Sequence, residues 1–192
     1  MRLFVALNLP KKEKQRIHRA ARPLRDAGYP VHWVPADLVH ITLKFLGEVL
    51  ADHQDSIAQA VRRVAEKTHE FKLELGGFGG FPTLRRPRVV WVGVDPTPAL
   101  RCLKQDLEWE FATLGFEREP RAFQPHITLG RSDRDANVGQ FRGLDDLAGQ
   151  ASYSAKIKVH RIDLMRSHLS TSGARYTVVE STRLAAPRSS RR

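Results

Sequence analysis

The tetrapeptide His-Ile-Thr-Leu occurs twice in this chain, at 40–43 and again at 126–129. Both copies lie in segments whose alternating apolar residues predict β-strands. Side chains at positions i and i+2 of a strand point to the same face, about 6.5–7 Å apart. Each copy therefore presents an imidazole beside a hydroxyl on one face, and an Ile and a Leu on the face that can anchor in a core. The fold must accommodate two such strands.

Two histidines that face one cleft form an acid–base pair, because an ordinary pKa near ~6.5 lets one be neutral and the other protonated near pH 7. The threonine hydroxyls would donate to non-bridging phosphate oxygens, with a nearby Arg supplying positive charge. Phosphodiester cleavage needs such a base, such an acid and such donors, and it requires no metal. For either histidine alone, a hydrogen-bonded sheet residue is the competing interpretation.

The remaining pattern predicts an α+β fold with antiparallel sheets, because strands and helices do not alternate strictly. Apolar stripes of helical spacing predict three helices. Gly76–Gly80 lacks the Lys-Ser/Thr of a phosphate-binding loop and is expected to be a turn. The predicted strands are 2–9, 31–34, 39–46, 71–75, 89–94, 126–129, 157–165 and 176–184, and the predicted helices are 10–28, 51–67 and 98–114.

The composition of the chain indicates a class of partner and excludes several kinds of site, but it does not indicate a reaction. The chain of 192 residues carries 32 Lys and Arg against 21 Asp and Glu, a formal charge of +11, which favours a polyanionic partner such as nucleic acid or a phosphorylated small molecule. A basic solvated surface would give the same charge. The single Cys102 excludes an internal disulfide and a cysteine-based zinc site. No apolar run of ~18 residues and no secretory signal is present, so we expect no membrane contact and a cytoplasmic location.

The two motifs resemble the H-x-T-x signature of the two-histidine phosphoesterase superfamily. Longer strings resemble its RNA 2′,3′-cyclic phosphodiesterase branch, historically called the 2′-5′ RNA ligase family. These strings are HITLKFLGEV at 40–49, GGFGGFP at 76–82, FQPHITLGRS at 123–132 and IDLMRSHLSTSGARY at 162–176. The resemblance extends from Arg2 to about Leu184.

The resemblance implies a bilobal fold, in which two pseudo-symmetric lobes with antiparallel sheets flank a central cleft and carry helices outside. It also implies hydrolysis of a terminal 2′,3′-cyclic phosphate to a 2′-phosphate without a metal or other cofactor. His126 would activate water as the general base, and His40 would protonate the departing 3′ oxygen. Thr42 and Thr128 would hold the phosphate, and Arg131 would add positive charge.

Several alternatives stay open at this stage. Phe45 either packs near the substrate or belongs to the core. A 3′-phosphate product would exchange the roles of the two histidines. The same site run backwards would join RNA ends through a 2′-5′ linkage, and a non-catalytic RNA-binding module is a third interpretation. We expect RNA ends or cyclic nucleotides as substrate, no obligate protein partner, a single domain over 1–185 and a disordered basic tail over 186–192.

Overall fold

The computed structural model describes residues 1–170 and 173–187. The α-helices in this part of the chain are α1 (Lys11–Ala20), α2 (Arg22–Asp26), α3 (Gln54–Lys67), α4 (Pro98–Ala112) and α5 (Leu144–Gln150). The strands are β1 (Arg2–Asn8), β2 (Val31–Trp33), β3 (His40–Glu48), β4 (Phe71–Thr83), β5 (Arg86–Val94), β6 (His126–Ser132), β7 (Ser154–Val159), β8 (Arg161–Ser170) and β9 (Gly173–Arg183).

The described strands form one antiparallel sheet in the order β7-β4-β5-β6-β3-β1-β8-β9, and the short β2 pairs with β6. The sheet has two halves. The first half-sheet is β3-β1-β8-β9 and the second is β7-β4-β5-β6, so each contributes four strands. They meet where Ile41 of β3 pairs with Ile127 of β6. The predicted α+β fold with antiparallel sheets is confirmed, and the two motif strands lie side by side at its centre.

Helices α3 and α4 cover one side of the sheet at this junction. Each buries an apolar stripe, which includes Ile57 and Val61 in α3 and Leu103 in α4. These side chains belong to the same buried cluster as Ile41 and Ile127. Because the helices occupy the face that holds the two isoleucines, the opposite face of both motif strands is left open.

The predicted helix over 10–28 is wrong in one respect, because it breaks at Ala21 into α1 and α2. Pro23 lies at the start of α2. A proline inside a helix has no N–H to donate and its ring clashes with the carbonyl four residues earlier. A continuous helix is therefore interrupted at this point.

The expected turn at Gly76–Gly80 is also wrong, because strand β4 continues through this segment to Thr83. A Cβ atom on Gly79 would lie 2.2 Å from the Trp91 ring, so the indole packs directly over the glycine backbone. Gly77 has φ +71° at an irregular step of the β4–β5 ladder. The glycines thus allow a close approach and a bulge within a strand.

The predicted strand over 157–165 is divided at His160. Its first part, β7, pairs with β4 of the second half-sheet, and its second part, β8, pairs with β1 of the first. An apolar pattern does not show which neighbour a strand will choose. The expected antiparallel pairing of the last two strands is confirmed, helix α5 was not predicted, and residues 188–192 of the expected tail lie outside the described residues.

A buried ion network ties β3 to α4 and to the segment that follows α4. Glu108 accepts hydrogen bonds from Lys44, at 2.6 Å, and from Lys104. Lys104 also contacts Glu119 at 2.9 Å, and Lys44 donates to the Glu117 carbonyl at 2.9 Å. Burial opposes ionisation of Glu108, but the hydrogen bonds from the two lysines and from the Glu119 N–H outweigh it and lower the pKa of the carboxyl group.

Removing the carboxylate should be costly, because it leaves two buried ammonium groups without their common partner. We expect Glu108→Ala to lower the free energy of unfolding by about 3 kcal/mol, measured by urea denaturation near pH 7. The exposed Glu66→Ala in α3 is the control and should change it by less than ~0.5 kcal/mol. Equal effects of the two substitutions would contradict this role of the network.

Candidate active site

The two motif strands expose their histidines and threonines as the alternation predicted. His40 and Thr42 are half-buried, whereas Ile41 between them is completely buried. His126 and Thr128 are likewise half-buried on either side of the buried Ile127. All four polar side chains therefore lie on the face of the sheet that is opposite α3 and α4.

The pairing of Ile41 with Ile127 sets the arrangement of these four groups. In an antiparallel register, the next positions place His40 beside Thr128 and Thr42 beside His126. The histidines are then diagonal neighbours, which in such a ladder lie about 7–8 Å apart. A group the size of a phosphate fits between two imidazoles at this separation. The structure thus brings both predicted histidines and both predicted threonines together.

Each imidazole is held by a carbonyl two residues earlier in the chain. Nδ1 of His40 lies 2.7 Å from the Leu38 oxygen, and Nδ1 of His126 lies 2.8 Å from the Gln124 oxygen. A carbonyl can only accept, so Nδ1 carries the proton in both rings. Nε2 is consequently the atom that exchanges protons with a ligand. Because both histidines make this Nδ1–carbonyl hydrogen bond, Nε2 is the reactive nitrogen in each of them.

Both histidines have pKa values below the ordinary value for the side chain. Burial is the main cause for each of them, because it disfavours the charged imidazolium. The carbonyl contact opposes this shift in each ring. Lys14 lowers the pKa of His40 further by charge repulsion, and Arg131 does the same to His126. Each histidine thus has one cation for a neighbour.

Each motif strand contains a β-bulge at the same position of its motif, and the bulge interrupts the alternation of side chains between the two faces. In the β1–β3 ladder Leu43 has no opposite residue, and in the β5–β6 ladder Leu129 has none. The extra residue reverses the faces of the residues beyond it. Lys44 therefore enters the core, while Phe45 is 65% exposed and its ring lies 6.0 Å from that of Phe4. The alternative that placed Phe45 in the core is wrong.

Arg131 holds the position in β6 that Phe45 holds in β3, two residues beyond the unpaired leucine. Its side chain is exposed, and its charge acts on His126. The residue before it, Gly130, has no room for a side chain, because a Cβ atom there would lie 2.5 Å from Val31 of β2. The bulge thus turns a cation toward the cleft in one half-sheet and an aromatic ring in the other.

Aromatic rings flank both imidazoles. The His40 ring lies 5.0 Å from Phe4 and 5.3 Å from Tyr176, centre to centre. The His126 ring lies 5.0 Å from Phe81, which in turn lies 5.2 Å from Trp91. These rings cover part of each imidazole and so contribute to the burial that lowers the histidine pKa values.

Sequence reasoning missed these four aromatic residues. The only signal for Phe81 is its place in the GGFGGFP string, and that string was expected to form a turn. Phe4 shares a face of β1 with Asn8, the residue that pairs with His40, but only the strand order makes this meaningful.

No group of three or more His, Cys, Asp or Glu side chains in residues 1–170 and 173–187 is arranged to hold a metal ion. In the same part of the chain, no helix has both the length and the apolar character needed to cross a membrane.

The sequence model of the 2′-5′ RNA ligase superfamily matches residues 10–171. The chain belongs to this superfamily. Two of its curated relatives are proteins named RNA 2′,3′-cyclic phosphodiesterase. The one from Methanothermobacter thermautotrophicus is 32% identical over 186 residues, which cover 96% of this chain and 99% of the relative. The one from Escherichia coli is 38% identical over 138 residues, which cover 70% of this chain and 74% of the relative.

Two solved structures share the fold of this chain. The protein TT0787 of Thermus thermophilus superposes with a TM-score of 0.80 at 26% identity, covering 96% of this chain and 98% of its own. The Escherichia coli LigT structure complexed with 3′-AMP superposes with a TM-score of 0.73 at 28% identity, covering 95% and 97% of the two chains. The superfamily fold predicted from the motif strings is confirmed.

The two lowered pKa values are directly measurable. In a proton NMR titration, we expect the ring signals of His40 and His126 to shift with midpoints below about 6.5, the ordinary value. Arg131→Met should raise the midpoint of His126 and leave that of His40 in place, because it removes the neighbouring positive charge. The exposed Arg134→Met makes the same charge change as a control. Midpoints at or above 6.5 for both histidines would contradict the burial argument.

Proposed function

We propose that this protein hydrolyses 2′,3′-cyclic phosphates at RNA ends and leaves a 2′-phosphate. The observation that carries the proposal is the pair of imidazoles on adjacent strands, each with Nδ1 bound to a carbonyl and Nε2 available. The names of the superfamily relatives support the same reaction, and the 3′-AMP held by the Escherichia coli protein is a nucleotide with its phosphate on a ribose oxygen.

The reaction begins with the cyclic phosphate between the two histidines. Thr42 and Thr128 donate hydrogen bonds to its non-bridging oxygens, and Arg131 contributes positive charge. Neutral His126 takes a proton from water through Nε2, and the water oxygen forms a bond to phosphorus. The bond from phosphorus to O3′ breaks on the opposite side, and protonated His40 gives its proton to O3′.

The products are a 3′-hydroxyl and a 2′-phosphate. At this point His126 is protonated and His40 is neutral, so exchange with solvent restores the starting state. This chemistry uses only residues of the chain, and independence from metal is part of the proposal. Phe45, exposed beside the cleft, offers an apolar surface for the nucleobase.

Each histidine should be required. We expect His40→Ala and His126→Ala each to lower kcat/KM by at least ~10²-fold on an oligonucleotide with a 2′,3′-cyclic phosphate, assayed in EDTA. His53→Ala, an exposed histidine outside the site, is the matched control and should keep wild-type activity. The proposal fails if both single variants turn over substrate at the wild-type rate.

The position of the product phosphate assigns the roles of the two histidines. Phosphorus NMR should show a 2′-phosphate, which makes O3′ the leaving group and His40 its acid in the mechanism above. A 3′-phosphate would instead make O2′ the leaving group and would contradict this assignment.

Activity should also depend on pH in a specific direction. The free enzyme needs one histidine neutral and the other protonated, and both pKa values are lowered by burial. Raising the pH removes the proton of the acid, so kcat/KM should already decline through neutral pH, with its optimum below about 6.5. A profile of kcat/KM from pH 4.5 to 9 measures this, and an optimum above pH 7 would contradict the mechanism.

The reverse reaction, 2′-5′ joining of a cyclic phosphate end to a 5′-hydroxyl end, uses the same groups. Water at ~55 M competes with a second RNA end that must be held nearby, so hydrolysis is the reaction we favour. The single-domain boundary at 185, a cytoplasmic location and action without a protein partner stay predictions.

A further inference from the structure

A cavity of about 680 Å³ opens beside His40 on the side of the first half-sheet. Its wall includes Asn8 at the end of β1, Lys14 in α1, Arg161 at the start of β8 and Tyr176 in β9. The cleft between the half-sheets therefore continues past His40 into a space that the proposed reaction does not use.

Lys14 is a half-buried cation fixed at the wall of this cavity. Its ammonium donates to the Asp37 carbonyl at 2.7 Å and to Oδ1 of Asn8 at 3.5 Å. Asn8 in turn pairs with His40 across the β1–β3 ladder. Both acceptors are neutral and hold the ammonium in place, while the nearby carboxylates of Asp37 and Asp163 act to raise its pKa. Burial lowers the pKa of Lys14, and an anion beside it would relieve that cost.

A buried carboxylate, that of Asp163, also lines the cavity, and its negative charge acts on the Lys14 ammonium. Asp163 is 4% exposed and accepts hydrogen bonds from the Asn8 amide, at 2.8 Å, and from the Ser181 hydroxyl. Its oxygens are thereby occupied by side chains of the protein. Lys14 and the exposed Arg161 remain to attract a negatively charged ligand.

The proposed mechanism fixes which part of the substrate reaches this side. The attacking water and the departing O3′ lie on opposite sides of phosphorus, so with His126 at the water and His40 at O3′ the ribose lies toward His40. The nucleobase is attached to the ribose at C1′, and the 5′ substituent is attached at C4′, on the other side of the ring oxygen. The two groups must therefore diverge from His40 in different directions.

The site offers different surfaces in these two directions. The exposed ring of Phe45 lies farther along β3, 6.0 Å from the Phe4 ring, which itself lies 5.0 Å from the His40 ring. Lys14 lies at the opposite end, where β3 begins and β1 finishes. An aromatic ring suits a base, and an ammonium suits a phosphate.

We propose that Lys14 binds the phosphate on the 5′ side of the terminal nucleotide, so that the cavity selects RNA ends over cyclic mononucleosides. This inference rests on the proposed function and names its preferred substrate class. The 5′-phosphate is present on every RNA end longer than one nucleoside and absent from a cyclic nucleoside phosphate.

Two substrates that differ by one phosphate test the inference, namely cytidine 2′,3′-cyclic phosphate and its 5′-phosphorylated form. At low salt we expect the wild-type kcat/KM to be about tenfold higher for the 5′-phosphorylated substrate, the scale of one charge-assisted hydrogen bond. Lys14→Met should reduce this ratio to about one, whereas Lys14→Arg, which keeps a cation, should retain most of it.

Lys12→Met removes the same charge from an exposed position of α1 and should leave the ratio unchanged. A loss of Lys14 that acted only through the pKa of His40 would change the rates of both substrates by the same factor and leave the ratio at its wild-type value, which would overturn the inference. So would a wild-type ratio near one. Failure of the wild-type protein to hydrolyse either substrate would instead overturn the proposed function.

Discussion

The contact between Ile41 and Ile127 is the point on which the site depends. Both side chains are completely buried, and both belong to the cluster that α3 and α4 cover. Because a strand alternates its faces, anchoring these two residues forces the neighbouring histidines and threonines onto the other side. The pairing of the strands at this position also fixes the diagonal of the two imidazoles. One apolar contact thus determines the geometry of four polar groups.

The bulges at Leu43 and Leu129 give the second level of organisation. Without the extra residue, Lys44 would share the face of Thr42, and Phe45 would enter the core. With it, Lys44 reaches Glu108 beneath the sheet, and the Phe45 ring is exposed beside the cleft. The same irregularity in β6 exposes Arg131. The bulges therefore decide which of these side chains join the ion network on the helix side of the sheet and which are exposed on the cleft side.

The positive charges beside the cleft favour an anionic ligand, and they disfavour the protonated form of the two histidines. Lys14 and Arg131 each lower the pKa of the neighbouring histidine, and burial acts in the same direction. A bound phosphate would bring negative charge beside both rings and oppose these shifts. The two cations thus disfavour protonation of the empty site, and a bound phosphate would favour the proton that His40 donates in the proposed mechanism.

The sequence by itself determined which residues form the candidate site. The spacing of His and Thr in a strand places them on one face, whatever the rest of the fold does, and the apolar residues between them must be buried. The α+β class and the long helices α3 and α4 also follow from periodicity, which is a local property. The sequence did not predict helix α5, because a helix of seven residues is too short to show a clear apolar periodicity. It did not predict the break at Ala21, because one proline hardly changes the apolar pattern of the helix around it.

Only the tertiary structure decided which strands became neighbours, because pairing depends on residues that are distant in the chain. It brought 40–43 next to 126–129, sent the two parts of 157–165 to different half-sheets, and placed the indole of Trp91 over Gly79. Lys14 is one of several basic residues at the start of α1, and only packing distinguishes it from the exposed Lys12.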